Sequence, residues 1–579
     1  MIGARRLGAL MGAILLTTGA ARAQGPGIAA DLIVEHGKIV TMASDGRTVE
    51  AVAVRDGKIL ATGTTAEIHA LAGPDTRTID LHGRTMLPGF YDNHIHLGGE
   101  VGDPRQLDWS AINSKAALLE ALAREAARRP EGEWILARLI NENMPQERLP
   151  TRWEMDTVTP KHPVVIERGH ITMGNSLTMQ LSGVTDQTPA PTGGGIDRDA
   201  QGRAVGWFRE GAGKRLITTA MPPPPPVPDE QVEQSLKSEL QALLPLGITS
   251  INVAGMRPNA LRGIQRTYER WGEDLPRSTV QLRLSPGHDS FDDPAEGIAT
   301  AIRELDSIAF ISGFGGDRLR LGAVKMSIDG GFSAAAIYTL EPYPNRDDDY
   351  HGVVRIDEDT LYQVARHAHD RGWQLGIHAM GDAAVQMVAN VYDRILTEAP
   401  RPDARHFVHH LSVLPPPDVL AKLAKDHILV ASQPNFTYSL GPKNAAPALS
   451  PERLQTNNPQ MSLIDAGLQV SYGSDNMPID PRIGIYAAVT RKGNDGKVYG
   501  PGEAVPLADA LRMYTLAPAY LNFVETSRGS IEPGKVADFV VLGEDILTVD
   551  PERIPAIPID MTIVGGRLLY ERGVAAPAS

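Results

Sequence analysis

Residues 87–97 read LPGFYDNHIHL, an apolar run that ends in a His-Ile-His pair. The apolar start of this run reads as a short buried strand. Side chains two apart on a strand share a face, so His94 and His96 project together and Ile95 turns away. Two imidazoles at a strand end suit a divalent transition ion such as zinc. Taken alone, the pair reads equally well as two hydrogen-bonded core or loop histidines. Four further stretches sharpen the reading: Lys325 in GAVKMSIDGG, His378 in GIHAMGD, His409-His410 in RHFVHHL and Asp475 in YGSDNMP. Each lies at the carboxyl end of a short apolar run.

Eight such runs can position these groups: 85–91, 248–254, 279–285, 320–328, 374–378, 405–410, 428–433 and 468–473. Helical stretches such as 357–371 and 382–398 alternate with them. Repeated βα units imply a parallel sheet, and eight of them suggest a closed (β/α)8 barrel with its chemistry at the carboxyl ends of the strands. Five of the eight ends then offer a metal-competent or ionisable group. Before the barrel, 31–40 and 51–59 read as strands with tight HGK and DGK turns, and 76–80 and 84–86 add to them. Strand signal returns at 537–542 and 561–570. The simplest packing is a composite β-sandwich of residues 30–84 and 526–575, with the barrel, 85–525, inserted between. Within the barrel segment, 101–228 forms an α/β insert after the first strand. It has a helix at 114–128 and a strand at 162–168, and it closes on the stiff run MPPPPPVP. A helix at 229–244 follows.

The 579 residues carry a net charge of -14 and no cysteine. An acidic chain without a basic block argues against nucleic acid and anionic membrane surfaces as partners. Any metal must be held by histidine, carboxylate or something less usual. Arg5-Arg6, the apolar residues 7–20 and Ala21-Arg22-Ala23 read as a signal peptide cleaved after Ala23. That run is shorter than the roughly 20 residues that span a bilayer. The expected mature protein is periplasmic or secreted, with no stable membrane anchor. Nothing in the sequence specifies an oligomeric state.

Taken together, MLPGFYDNHIH, VKMSIDGG with the later EPY, HAMGDAA, GSDNMP, and GSIEPGKVADFVVL with TIVGGR resemble the amidohydrolase superfamily. Within it they resemble amidohydrolase family 3, in its YtcJ-like branch that includes N-substituted formamide deformylases. The similarity covers nearly everything after the signal segment. It implies a (β/α)8 barrel with a composite β-sandwich. It implies that His94 and His96 bind one divalent metal, zinc being the first candidate. His378 and His410 would bind a second, with Lys325 bridging the two as a carbamate. A one-ion site is the alternative, as is a Lys325 paired with Asp329 or another carboxylate. Asp475 would be both ligand and proton shuttle, taking a proton from metal-activated hydroxide as it attacks a carbonyl and passing it to the leaving nitrogen. Its alternative is a helix cap.

One departure stands out. The family has Glu before the sixth-strand histidine, where this chain has His409. Strand alternation puts His406, Val408 and His410 on one face and Phe407 with His409 on the other. Motif alignment favours His410 as the ligand, with His409 reaching the pocket or standing behind it. By resemblance His170, Glu210 and Tyr343 line the substrate pocket. Asp92 reads as supporting the ligands or structural, and Asp382 as either a helix cap or a functional group. His367 and His369 read as surface-helix residues, His36, His69, His82 and His427 as ordinary, and the acidic run 347–349 as a solvated loop. The expected function is an exported metal-dependent hydrolase of a C–N bond, amide or formamide, in a small molecule. Ester or lactone hydrolysis at the same site is the alternative, and a non-catalytic binding protein a more distant one.

Overall fold

The computed structural model describes residues 29–98, 103–139, 144, 146–344, 346, 349–439 and 445–574. At its centre lies an eight-stranded sheet. Its strands are β1 (Phe90–Ile95), β2 (Ile248–Met256), β3 (Arg277–Arg283), β4 (Leu319–Ser327), β5 (Leu375–Ala379), β6 (Phe407–His410), β7 (Leu429–Ser432) and β8 (Val470–Tyr472). Each pairs in parallel with the next. Helices between the strands pack outside. The helix Asp382–Glu398 buries Val385, Val388, Tyr392 and Ile395, a stripe at helical spacing. These residues and the outward faces of the strands, including Val324, Ile377 and Val408, share one apolar core.

The ring closes between β8 and β1 by polar contacts. Asn93 Nδ2 donates to Ser471 Oγ at 2.7 Å. The Ser474 amide donates to the Asp92 carboxylate at 2.9 Å, and the Asp475 amide to the His94 carbonyl at 2.7 Å. Asn476 clamps the His96 backbone twice, accepting from its amide at 2.8 Å and donating to its carbonyl at 3.0 Å. A Cβ on Gly473 would lie 2.2 Å from the His94 nitrogen, so only glycine permits this approach.

The first barrel strand is not the expected 85–91. Thr85–Pro88 belongs to the sandwich, antiparallel to Phe539–Leu542 and parallel to Lys38–Val40. Pro88 has no amide hydrogen with which to extend the ladder, and the chain crosses at Gly89 into β1. One apolar run thus serves two sheets. The sandwich pairs a four-stranded sheet, drawn wholly from the amino-terminal segment, with a six-stranded sheet drawn from both chain ends. Leu32, Val34, Ile39, Phe539, Val541 and Ile563 fill the space between them. A buried ion pair at 2.7 Å, Arg277 to Asp538, fastens the start of β3 to this sandwich.

The insert after β1 is a six-stranded mixed sheet of residues 106–209. Its helix Lys115–Arg128 is capped by the Ser114 side chain. The strand expected at 162–168 spans Val164–Arg168, and the helix expected at 229–244 spans Asp229–Gln241. The expected signal segment, 1–23, lies outside the described residues, as do 347 and 348 of the acidic run. Among the described residues no helix is long and apolar enough to cross a membrane.

Candidate metal centre

At the carboxyl ends of the strands a cavity of about 300 Å³ opens, with His96, Lys325, His378, His410 and Asp475 in its wall. His94 lies just beneath, fully buried. Strand alternation brings His94 and His96 together as expected, with ring centres 5.3 Å apart. Asp475 Oδ1 stands 3.4 Å from His94 Nε2 and 3.1 Å from His96 Nε2. His94, His410 and Asp475 each offer a ligand atom within 4.8 Å of the others. His378 extends the group, its ring 4.4 Å from that of His410. The alternative of Asp475 as a cap does not hold, since Asp480 caps the helix Pro481–Thr490.

The donor set fits a divalent ion. Both ring nitrogens of His94 and the Nε2 of His378 are buried without a hydrogen-bond partner among the described residues. Leaving a buried polar group unpaired costs about 1–3 kcal/mol, and a bound ion would remove that cost. His410 is preset for the same task. Gln433 Nε2 donates to the Ala431 carbonyl at 2.8 Å, so its Oε1 faces His410 Nδ1 at 2.6 Å. The proton therefore sits on Nδ1, and the Nε2 lone pair is free for an ion.

Electrostatics favour the ion-binding forms. Burial holds His94 and His378 well below the usual imidazole range and brings His410 down to about 3. Burial raises the Asp475 carboxyl, but His96, His410 and Lys325 together outweigh it and leave the group below its ordinary value. Burial, opposed by Asp475 and aided by Arg283, lowers Lys325 to about 7. Neutral imidazoles, an ionised carboxylate and a readily neutral amine are the states that metal binding requires. Lys325 does not pair with Asp329. The Asp329 carboxylate instead accepts the amides of Tyr338, Met380 and Gly381 at 2.9, 3.0 and 2.9 Å, and stands 3.3 Å from His378 Nε2.

His410 lines the cavity and His409 does not. Regular alternation would send His410 outward beside Val408. The strand ends there instead, with φ of +74° at His410 and +51° at Leu411, which frees the side chain from the alternation. His409 points into the barrel interior, its ring 4.4 Å from that of His94. There it heads a chain of hydrogen bonds. His409 Nε2 lies 3.0 Å from Gln281 Oε1, Gln281 Nε2 donates to Asn252 Oδ1 at 3.2 Å, and Asn252 Nδ2 donates to Asn93 Oδ1 at 3.2 Å. Asn522 also donates to Asn93 Oδ1, at 2.8 Å. Asn93 donates to Ser471, whose hydroxyl donates to the Val430 carbonyl at 3.1 Å. The far end fixes every polarity, so His409 carries its proton on Nε2.

His170 reaches the cavity from the insert. Glu210 lies behind it, buried, with Oε2 2.9 Å from His170 Nδ1, and raises the imidazole above its usual range. Tyr343 is a correction. It is not among the residues lining the cavity, because its hydroxyl donates to the Ile337 carbonyl at 2.9 Å. Its ring packs in the cluster that backs Phe332 and Met380. His369 is a second correction. It faces inward, with Nδ1 2.9 Å from His406 Nε2, whereas His367 on the outer face meets Asp306 at 2.7 Å. Asp92 is a seam residue, and Asp382 ties the loop at Leu340 to Arg453. His36 and His69 pair with Asp80 and Glu35 in the sandwich, and neither they nor His82 and His427 line the cavity. Sequence reasoning missed Gln433, Asn476, Arg283 and Arg355. For Arg283 a signal existed, since it continues the inward period of Thr279 and Gln281 along β3.

Histidines, a lysine and an aspartate gathered at the mouth of a parallel eight-stranded barrel define a metal-dependent barrel enzyme. Comparison with known proteins agrees. Residues 77–570 match the model of the amidohydrolase family. The chain is 30% identical to the putative amidohydrolase YtcJ of Bacillus subtilis (strain 168), over 93% of this chain and 98% of that protein. It is 27% identical to the N-substituted formamide deformylase of Arthrobacter pascens, over 94% and 98%. Among solved structures, an uncharacterized metal-dependent hydrolase from Pyrococcus horikoshii OT3 superposes with a TM-score of 0.66 at 22% identity, covering 90% of this chain and 99% of that one. The chain belongs to the amidohydrolase family and is a metal-dependent hydrolase acting on C–N bonds.

Proposed function

We propose that the protein hydrolyses an amide or formamide of a small molecule, using one or two divalent ions held by His94, His96, Lys325, His378, His410 and Asp475. The observation that supports this most is the buried nitrogens of His94 and His378 that form no hydrogen bond, at a cavity where Asp475 stands beside His94 and burial brings the lysine down to about 7. A neutral amine can add to carbon dioxide, which would turn Lys325 into an anionic oxygen ligand. Zinc suits the histidine-rich set. A bound ion of this kind activates water and polarises a carbonyl oxygen. Asp475 accepts the proton that water releases and delivers it to the leaving nitrogen. The C–N bond breaks, and the products are a carboxylic acid and an amine. His170, whose protonated form Glu210 favours, donates a hydrogen bond to the substrate from the insert side. Export belongs to the same reading, with the mature chain beginning at Gln24, which amino-terminal sequencing of secreted material tests.

The test is elemental mass spectrometry of the purified protein and of Lys325→Ala, followed by turnover of a formamide and amide panel with the matching esters. Nearly two ions per chain, falling in the variant, together with amine release, is the expected result. No ion after reconstitution, or faster cleavage of esters alone, overturns it.

A further inference from the structure

Arg283 ends β3 inside the same cavity, and its Cα pairs in register with Lys325 on β4. Its guanidinium makes no hydrogen bond or ion pair with any described residue. The other arginine in the wall, Arg355, is held by Asp289 and stands 3.9 Å from Glu210. Among the described lining residues Asp475 is the one carboxylate, and it is engaged with His94 and His96. The charges nearest Arg283 are like charges. Burial first, then Arg355 and Arg257, bring it down to about 10, and no carboxylate offsets them. Behind Arg283 a second cavity of about 330 Å³ opens. Its acidic lining residue, Glu304, forms no ion pair with Arg283.

A half-buried cation without a counter-charge is costly unless something supplies one. Bound metal ions would add to the positive charge, so a neutral substrate would leave Arg283 uncompensated. A guanidinium fork matches a carboxylate with two parallel hydrogen bonds. The register beside Lys325 puts that fork next to the proposed ligands, so the carboxylate must lie close to the scissile bond.

Resting on the amide-hydrolase reading above, we infer that the substrate is an amide bearing a carboxylate near its C–N bond, and that Arg283 binds this carboxylate. The class includes N-acyl amino acids and monoamides of short dicarboxylic acids.

The test uses a panel of N-formyl and N-acetyl amino acids and succinamate. Each is paired with a neutral counterpart in which hydrogen or a methyl group replaces the carboxylate. Hydrolysis by the metal-loaded enzyme is compared with that of Arg283→Met and Arg283→Lys, with metal content and thermal midpoint recorded for each. The expected result is a preference of at least tenfold in kcat/KM for the anionic member of some pair. That ratio collapses at least tenfold in Arg283→Met and is partly kept in Arg283→Lys, while metal content holds. Equal rates across every pair overturn the inference. So does a proportional loss on both members together with loss of metal, which would make Arg283 a support for Lys325. If no amide is cleaved, the amide reading fails, and calorimetry on the metal-loaded protein still decides the anion site. Carboxylates binding tenfold tighter than their neutral partners, and losing this in Arg283→Met, uphold it. No such difference sinks it.

Discussion

Asn93, Asn252, Gln281, Ser471 and Asn522 pass hydrogen bonds to one another across the floor of the barrel. One or two residues further along the same strands, the ring nitrogens of His94 form no hydrogen bond and Arg283 forms neither a hydrogen bond nor an ion pair with a described residue, and His378 Nε2 on β5 likewise forms no hydrogen bond. The two layers share β1 and β3 and face the same interior. The floor closes its amides and its serine hydroxyl on each other and thereby fixes the ring and the tautomer of His409, whose Nδ1 itself takes no hydrogen bond. The mouth keeps its lone pairs and a cation open. A buried polar group that its neighbours satisfy holds structure, while one left open is kept for something that arrives from outside.

Variants on each side should separate these roles. The largest effect is expected from Asp475→Asn. It lowers kcat by about 10²–10⁴-fold through loss of proton transfer while elemental analysis still finds metal, and a metal-free variant would instead make Asp475 chiefly a ligand. Lys325→Ala should lose at least one ion per chain and most of the activity, and added short-chain carboxylic acids should restore part of both. Below the floor, Asp538→Asn breaks the buried pair with Arg277 and should cost about 3–5 kcal/mol in urea melts, with the metal content of folded protein unchanged. Burial raises the Asp538 carboxyl, but Arg277, joined by Arg528 and the Gly565 amide, more than offsets this and leaves it below the usual range. Its contribution is therefore present above the unfolded value of about 3.9 and is lost as pH falls through the lower folded value. The wild-type urea midpoint should fall with acid there, and that of Asp538→Asn less so. The smallest effect is expected from Gln281→Leu, about 1–3 kcal/mol from the unpaired Asn252 and His409, with metal content intact. A loss of metal in that variant would show that the floor also sets the mouth.

Period-two alternation placed His94 with His96, and the apolar runs located seven of the eight barrel strands, because both signals are local. The sixth strand shows where local signal ends. Alternation sent His410 to the wrong face, and only the motif named it, because the left-handed backbone at His410 leaves no mark on composition. The run 85–91 read as one strand because an apolar pattern does not say which sheet it joins. Tyr343 was misplaced since the carbonyl that takes its hydroxyl is defined only once the loop after β4 folds. Arg283 is readable from the period of β3, in step with Thr279 and Gln281, but an arginine carries no metal-ligand signal. Asn476 could not have been found at all, since its partner His96 is 380 residues away.

That distance has a consequence for assembly. The clamp joins residues near the start of the barrel to residues near its end, so the ring stays open until β8 docks. Closing so long a loop is entropically costly and slow. Until it closes, His94 and His96 lie at an open edge, without Asp475. Ion uptake by a refolding chain should therefore coincide with the final docking event, and the moment of capture serves as a clock for completion of the barrel.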